Sequence, residues 1–220
     1  MINHMKKVFT LAALSILFTF SAAAQKKFSE GTISYDIVIN TGTDKPKAAD
    51  FFDGATSTVY LAGNKSRTEM VSSLGTQSTI IDGAKNSIVI LKEYGEQRYM
   101  IQLTQANWKE ANRKFENVQF TYTEETKTIQ GFKCNKAVGK LADGTTFTVW
   151  YTTDLVPENK DFQYVNRSLP GLAMQYESNM GSLNVVYTVA KISLNPVQAA
   201  KFDLPKSGYR VMSYEESKGQ

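Results

Sequence analysis

The sequence predicts a mainly β fold, a strongly curved antiparallel meander that forms a half-open barrel with one or two short helices against it. Three observations lead to this prediction. Apolar and polar residues alternate in short runs, glycine-containing turns separate these runs, and only two segments carry a helical pattern. A sheet of so many strands must curl or close, because strand twist accumulates and exposed edges favour aggregation.

The N-terminus has the pattern of a secretory signal peptide. Lys6 and Lys7 precede an apolar run at residues 8–20, and three alanines follow at 22–24. We expect cleavage before Gln25. The run of about 13 residues is shorter than the roughly 20 that a membrane-spanning helix needs, and no second long apolar run follows. The expected location is therefore periplasmic or secreted, with no stable membrane span after signal cleavage.

The remainder, residues 25–220, is expected to be a single domain. Its length is 220 − 24 = 196 residues, which one hydrophobic core can fill. Without Lys6 and Lys7 the chain has 25 − 2 = 23 basic residues against 21 acidic ones. This net charge of +2 does not favour nucleic acid as a partner.

The strands are predicted from alternation. In the first strand Ile33, Tyr35 and Ile37 alternate with polar residues, which is typical of a strand with one buried face. Asp143-Gly144 is the best single hairpin signal, since this pair tolerates the positive φ of a tight turn. The other predicted strands cover residues 58–61, 67–71, 78–81, 87–91, 98–103, 118–124, 126–129, 132–141, 145–152, 172–178 and 183–194.

The segment 104–114 is predicted to be a helix that lies against the sheet. It begins with Thr104, a residue type that caps helices. Trp108, Ala111 and Phe115 recur at helical spacing and would share the face that meets the sheet.

A second, shorter helical turn is predicted at residues 196–201. Asn195 would be its N-cap, and Pro196 would occupy the first helical position, where its missing N–H costs nothing. The tail, residues 202–216, is expected to be a partly extended closing segment.

Histidine and cysteine are almost absent, which excludes several kinds of site. The one histidine, His4, lies in the predicted signal peptide, and the one cysteine is Cys134. A Ser-His or Cys-His nucleophile and an intrachain disulfide are therefore impossible, and a zinc site lacks its usual ligands. We expect no enzyme, no catalytic residue, no metal and no cofactor. Cys134 lies in an alternating run, where a buried thiol is favoured over a reactive one.

The carboxylates Asp154, Glu158 and Asp161 lie in one loop. Oxygen-rich loops can bind calcium, but this spacing is not that of an EF-hand and lacks its glycine. Lys160 within the loop favours a solvated acidic loop instead. A hydrolase built on two carboxylates is the third functional hypothesis, without a pattern that identifies the pair.

Two motifs resemble a family of secreted bacterial proteins known as domain of unknown function 4412. They are TKTIQGFKC at residues 126–134 and TVWYTTDL at 148–155. Further along, LPGL at 169–172 is similar to the GLPGLI signature of a neighbouring family, with Ser168 in place of its first glycine and Ala173 in place of its final isoleucine.

The resemblance implies a fold similar to the periplasmic lipoprotein carriers LolA and LolB. These are incomplete barrels with a helical plug and an apolar concave face. The resemblance implies no established activity, and fold analogy by itself does not assign function. It also transfers no binding residue to this chain.

The run at residues 164–176 is one candidate ligand site. Its apolar side chains, in a Pro-Gly loop that leads into a strand, could rim a cavity, and methionine suits an acyl chain. The alternative is that Leu169 and Leu172 merely anchor a long connection onto the sheet. The candidate residues in this run are Leu169, Pro170, Leu172, Met174 and Tyr176.

Trp150 is the other candidate. Phe147, Val149 and Tyr151 form one face of its strand, so Trp150 belongs to the opposite face. If the first face meets the core, Trp150 is exposed or faces a pocket, as in many binding surfaces. The alternative is a tryptophan covered by the predicted helix.

These observations favour an exported binding protein of the cell envelope that holds a lipid or other apolar ligand in the concavity of its sheet. Its partner would be a lipid or an acylated ligand, bound without a cofactor. The alternative is a structural or interaction module that docks on another envelope protein through a sheet edge or the Trp150 face.

Overall fold

The computed structural model describes residues 25–40, 54–180 and 183–219. The predicted signal peptide lies outside the described residues. The strands are β1 (Lys26–Phe28), β2 (Glu30–Asn40), β3 (Thr56–Ala62), β4 (Lys65–Ser72), β5 (Gly75–Asp82), β6 (Ser87–Tyr94), β7 (Gln97–Leu103), β8 (Gln119–Ile129), β9 (Phe132–Lys140), β10 (Thr146–Thr152), β11 (Leu155–Pro157), β12 (Leu172–Met180), β13 (Leu183–Ser193) and β14 (Arg210–Ser213). The helices are α1 (Gln105–Ala111) and α2 (Tyr214–Ser217), with 3-10 turns at Arg113–Phe115, Asp161–Asn166 and Ala199–Phe202.

Twelve of the strands form one sheet in the order β14-β7-β6-β5-β4-β3-β2-β13-β12-β10-β9-β8. Neighbours are antiparallel except for β14, which runs parallel to β7. Within the described residues the end strands β14 and β8 do not pair with each other, so the sheet stays open. β1 and β11 form a separate parallel pair. The predicted mainly β, half-open architecture is confirmed.

The hairpins form where the sequence supplies residues that accept a positive φ. Gln130 and Gly131 have φ values of 49° and 79°, as in the two-residue turns that match the twist of paired strands. The predicted turn at Asp143-Gly144 joins β9 to β10, with Gly144 at a φ of 87°.

Each predicted strand is present with shifted ends, and 118–124 and 126–129 form the single strand β8. Its register against β9 shifts between Tyr122 and Thr126. Similar shifts occur at Trp150/Tyr151 and at Val189/Lys191. Such bulges bend a strand and increase its twist. They explain why the β8 to β13 part of the sheet curls.

One face of the sheet is concave, as a single cavity demonstrates. Gln77 on β5 and Tyr176 on β12 both line a cavity of about 240 Å³. Five strand spacings separate β5 from β12, which would place them about 24 Å apart in a flat sheet. The concave face carries Tyr35 and Ile37 of β2 and the residues in register with them.

The helix predicted at 104–114 is present but ends early. Thr104 caps α1, and its Oγ1 accepts a hydrogen bond from the Asn107 N–H at 3.1 Å. Trp108 packs on the concave face with Ile88 and Leu103, as expected. Ala111, expected on the same face, is exposed at the last residue of α1.

The turn predicted at 196–201 begins later than expected. The 3-10 turn spans Ala199–Phe202 after Gln198, so Asn195 and Pro196 precede it and do not cap it. Proline and asparagine start a loop there instead, because the chain leaves β13 at Ser193 to cross the other face of the sheet.

That crossing segment, residues 194–209, covers the outer face of β3 to β7. Arg67 Nη1 donates a hydrogen bond to the Lys201 carbonyl at 3.3 Å, and the Tyr209 hydroxyl donates to Glu93 at 2.6 Å. Beneath the segment lies an apolar cluster of Ile80, Val89, Leu91 and Met100, packed against Tyr209. The expected extended tail is therefore a second layer that ends in β14.

Candidate functional site

Two segments lie over the concave face and form its roof. One is α1 with the turn Arg113–Phe115, and the other is the turn Asp161–Asn166. A latch of Glu116, Tyr164 and Arg167 joins them. Glu116 accepts hydrogen bonds from the Tyr164 hydroxyl and from Arg167 Nη2, the latter at 2.7 Å. The edge of the Trp108 ring also meets Tyr164, with centroids 5.9 Å apart.

The latch favours the ionised form of Glu116 and the protonated form of Tyr164. The hydrogen bond from Tyr164, helped by Arg167, holds the pKa of Glu116 below its ordinary value. Burial and the hydrogen bond to Glu116 raise the pKa of Tyr164. The Arg167 guanidinium stacks 4.1 Å from the centre of the Tyr164 ring. An ionised Glu116 and a protonated Tyr164 therefore keep the roof together.

Beneath the roof lies the cavity of about 240 Å³, named here the tyrosine cavity. Phe115 and Val165, the neighbours of Glu116 and Tyr164 in the chain, form its upper wall. The full lining is Ser57, Thr68, Met70, Gln77, Thr79, Phe115, Val165, Tyr176, Ser178 and Tyr187. Not one of these ten side chains carries a charge.

Its aromatic wall is a pair of tyrosines from neighbouring strands. The rings of Tyr176 and Tyr187 stack with centroids 4.8 Å apart and planes 5° apart. The Tyr35 ring meets Tyr176 edge-on at 5.9 Å, and its hydroxyl donates to the Ala173 carbonyl at 3.0 Å. Burial raises the pKa of Tyr176 and of Tyr187, so both phenols remain protonated at neutral pH.

Two further cavities flank the tyrosine cavity on the concave side, and both contain charged groups. One, of about 370 Å³, lies by the latch and is lined by Ile81, Ile88, Gln105, Trp108, Lys109, Glu116, Asp161, Tyr164 and Arg167. The other, of about 360 Å³, is lined by Lys114, Phe115, Leu141, Asp143, Thr145, Phe147, Val165, Glu177 and Ser178. Charged side chains therefore line the cavities on both sides of the tyrosine cavity, whose own lining is uncharged.

A groove of about 890 Å³ runs beside β14 at the ends of β6 and β7. Ile88 on the concave face and Val89 on the outer face both border it, so it wraps around the end of the sheet. Leu204 and Val211 at its border are 38% and 58% exposed. Its lining is apolar in part, but it lies outside the roofed concavity.

The predicted loop residues divide into core and surface. Leu169, Leu172 and Met174 have no exposed surface, which agrees with the alternative that they anchor the connection. Pro170 is exposed. Tyr176 lines the tyrosine cavity. A role of these five residues in ligand binding stays a prediction.

The Pro-Gly loop has a structural reason for its glycine. A Cβ atom on Gly171 would lie 1.9 Å from the Thr152 carbonyl oxygen. Buried Gln163 holds the loop at both ends, because its Nε2 donates to the Gly171 carbonyl and its Oε1 accepts from the Ala173 N–H, each at 3.3 Å. The glycine of the LPGL run therefore allows the loop backbone to lie close to the Thr152 carbonyl.

Trp150 lies on the outer face, half-buried. Phe147 and Val149 are buried on the opposite face, as the alternation predicts. Lys127 covers the indole, with its Nζ 4.2 Å from the ring centre, and it also donates to Gln175 Oε1. The alternative that the helix covers Trp150 is wrong, because α1 packs on β6 and β7 of the concave face.

Sequence reasoning missed most of the cavity lining. Met70, Gln77 and Tyr187 come from three separate strands, and Phe115 and Val165 come from the roof. The alternation of Val185, Tyr187 and Val189 could have placed Tyr187 on a buried face, but nothing in one strand shows which strands curl towards each other.

The acidic loop does not assemble a metal site. Among the residues that the structure describes, no group of three or more His, Cys, Asp or Glu side chains could hold a metal ion. Lys160 is used within the fold, since its Nζ donates to the Leu169 carbonyl at 2.6 Å.

Cys134 is fully buried, as predicted for a core thiol. Burial raises its pKa to about 11, which leaves little thiolate at neutral pH.

No helix in the described part of the chain is long and apolar enough to span a bilayer.

The family model described as Domain of unknown function (DUF4412) matches residues 49–168, just over half of the chain. No curated protein matches the sequence. An uncharacterized conserved protein from Thermus thermophilus has a similar fold, with a TM-score of 0.51, 11% identity and coverage of 84% of this chain and 91% of that one.

Two further solved structures are less similar, with TM-scores below 0.5. A structure of PNGF-II has a TM-score of 0.47 and 14% identity, and the match covers 86% of this chain but 33% of that protein. The beta-barrel-like DUF1849 protein from Brucella abortus has a TM-score of 0.34, 7% identity and coverage of 76% and 98%. The similarity to LolA and LolB stays a prediction.

Proposed function

This chain belongs to the DUF4412 family, and we propose that it is an exported binding protein of the cell envelope, not an enzyme, that holds part of a lipid or another largely apolar ligand on its concave face. The observation that carries this proposal is the tyrosine cavity, which lies between a curled sheet and the roof residues Phe115 and Val165. Concave sites that combine apolar and aromatic side chains with a few polar groups are where small ligands bind most often.

The size of the cavity limits what it can take. Its volume of about 240 Å³ corresponds to roughly eight water molecules, at about 30 Å³ each. A chain of about eight to ten carbon atoms is of this size, and each buried methylene contributes about 0.8 kcal/mol. A longer lipid would extend into the neighbouring cavity, which shares Phe115 and Val165 with this one.

The roof supplies the route of entry. Phe115 and Val165 each belong to one of the two segments that the latch joins. Opening the latch would let these segments separate and would widen access to the tyrosine cavity. Substitution of Glu116 by Gln removes the charge that holds Arg167, so we expect faster ligand entry in this variant.

The binding test is a titration of protein comprising residues 25–220 with the neutral fluorescent probe N-phenyl-1-naphthylamine. We expect the probe to bind with a saturable increase in its fluorescence. Ser178→Phe should abolish it by filling the cavity, whereas Val186→Phe, on the outer face of β13, should leave it unchanged. Absence of saturable binding would overturn the proposal. So would binding that Ser178→Phe does not reduce, because the probe would then occupy the groove beside β14.

Export is tested separately. We expect the protein to leave the cytoplasm with Gln25 as its first residue, which cell fractionation and N-terminal sequencing measure. An intact N-terminus on cytoplasmic protein would contradict the periplasmic or secreted location.

A docking module is the second candidate. It is supported by the half-buried Trp150 on the outer face, where Lys127 and Lys136 lie 4.2 and 5.9 Å from the ring centre. Aromatic residues are enriched at the cores of interfaces. Copurification of one envelope protein with the wild type, lost on Trp150→Ala and retained on Ser178→Phe, would favour this function.

A further inference from the structure

We propose that the tyrosine cavity selects an uncharged, hydrogen-bonding group of the ligand, such as an alcohol, and rejects the ionised carboxylate of a fatty acid. This inference rests on the proposed function, since it specifies the ligand of the same site. It concerns the chemical class of the group that lies among the tyrosines.

The first support is the composition of the lining. Much of it is polar, but every polar group is a hydroxyl or an amide: Ser57, Thr68, Gln77, Thr79, Ser178 and the two phenols. Such groups can donate and accept hydrogen bonds without a charge. An ionised group in this site would meet no counter-charge in the lining, and any hydration that it lost there would be costly.

The second support is that the phenols do not supply a charge of their own. Tyr176 and Tyr187 stack on each other and are buried together, and burial raises the pKa of both. The cavity therefore remains neutral across the physiological range of pH. A neutral ligand would bind with the same affinity throughout that range.

The third support is the state of the nearest charges. Arg167 and Lys109 are the cations by the latch, and Arg167 is already paired with Glu116 at 2.7 Å. An anionic ligand would have to compete with this carboxylate for the guanidinium. Lys114, in the cavity on the other side, lies in a lining that also contains Asp143 and Glu177. The pairing of Arg167 with Glu116 thus weakens its attraction for an anionic head.

The test compares octanol with octanoate, which have the same chain length and differ in charge at neutral pH. Both are titrated against the bound neutral probe. We expect octanol to bind at least about 10-fold more tightly, a difference of about 1.4 kcal/mol. Equal affinities, or tighter binding of octanoate, would overturn this inference and leave the proposed function standing. Failure of both ligands would instead count against the proposed function.

A positive charge placed in the cavity should reduce the preference for octanol over octanoate. Gln77→Lys adds a cation to the lining, and we expect octanoate to gain at least about 10-fold in affinity. Thr76→Lys is the matched control, because Thr76 is the preceding residue of β5 and points to the opposite face. Thr79→Lys is the second cavity variant if Gln77→Lys does not fold. Unchanged octanoate affinity in a folded cavity variant would overturn the inference.

Discussion

The sheet has a first half, which contains β3 to β7, and a second half, which contains β8, β9, β10, β12 and β13. The two halves differ in whether one or both of their faces are buried. In β5 and β6 successive residues are both buried, as with Ile80 and Ile81 or with Ile88 and Val89. In β10 the buried residues Phe147 and Val149 alternate with half-buried ones. The first half is covered by α1 on one face and by the segment 194–209 on the other, whereas Trp150 on the outer face of the second half is half-buried and covered by the Lys127 side chain.

The difference teaches that one sheet can contain two kinds of strand. Paired apolar residues mark a strand between two layers, and strict alternation marks a strand with one solvated face. The tyrosine cavity lies on the concave face, and its lining combines residues of β3, β4 and β5 with residues of β12 and β13.

The largest effect is expected from removal of the covering layer. Truncation after Leu194 deletes the segment that covers Ile80, Val89, Leu91 and Met100. Loss of this apolar burial should leave the chain aggregated or unfolded, as measured by solubility and circular dichroism. A soluble truncated chain with native circular dichroism would show that the two halves do not differ in the way described.

Within β10 the two faces should give unequal effects. Phe147→Ala removes a ring that is 6% exposed on the concave face, with an expected loss of about 3.5 kcal/mol in the free energy of unfolding. Trp150→Ala removes a half-buried ring from the outer face, with an expected loss of about 1 kcal/mol in chemical denaturation. A larger loss for Trp150 than for Phe147 would mean that the outer face is also covered.

A milder version of the truncation is Phe202→Ala. Phe202 is 8% exposed, and its removal should lower the free energy of unfolding by about 3 kcal/mol. The control is Leu204→Ala in the same segment, where the side chain is 38% exposed and a loss below about 1 kcal/mol is expected. Chemical denaturation measures both values, and equal losses would show that Phe202 does not anchor the segment.

The stability of the second half should depend on the close contact between Gly171 and the Thr152 carbonyl. In Gly171→Ala the new methyl group meets the Thr152 carbonyl, so the loop must shift. We expect a loss of about 3 kcal/mol in unfolding free energy, at the upper end for overpacking. Ser168→Ala, at an exposed neighbouring position, should be neutral. Equal stabilities of the two variants would show that the loop is not held against β10.

The smallest effect concerns pH. The raised pKa of Cys134, about 11 against about 9 for the unfolded chain, means that the unfolded state ionises first. The thiol therefore has no effect on stability below pH 9 and lowers it as the pH rises from about 9 to 11. Cys134→Ala should reduce this loss. An identical alkaline profile in thermal unfolding would contradict the assignment of part of the loss to Cys134.

The sequence predicted the long strands well, because alternation is a local property. β1, β11 and β14 were not predicted as strands, since each has three or four residues and pairs in parallel with a segment far away in the chain. The composition of the tyrosine cavity was not predicted. Of the six candidate residues, Tyr176 lines it, while Leu169, Leu172 and Met174 lie in the core.

What the sequence by itself determined is the β architecture, the hairpin at Asp143-Gly144 and the buried face of β10. These follow from residue types and from period-two spacing. Only the tertiary structure decided that Met70, Gln77 and Tyr187 share a cavity. It also decided that residues 194–209 cover the outer face of the first half. Both depend on how far the sheet curls, and curvature is the sum of twists and bulges over many strands, which no single segment encodes.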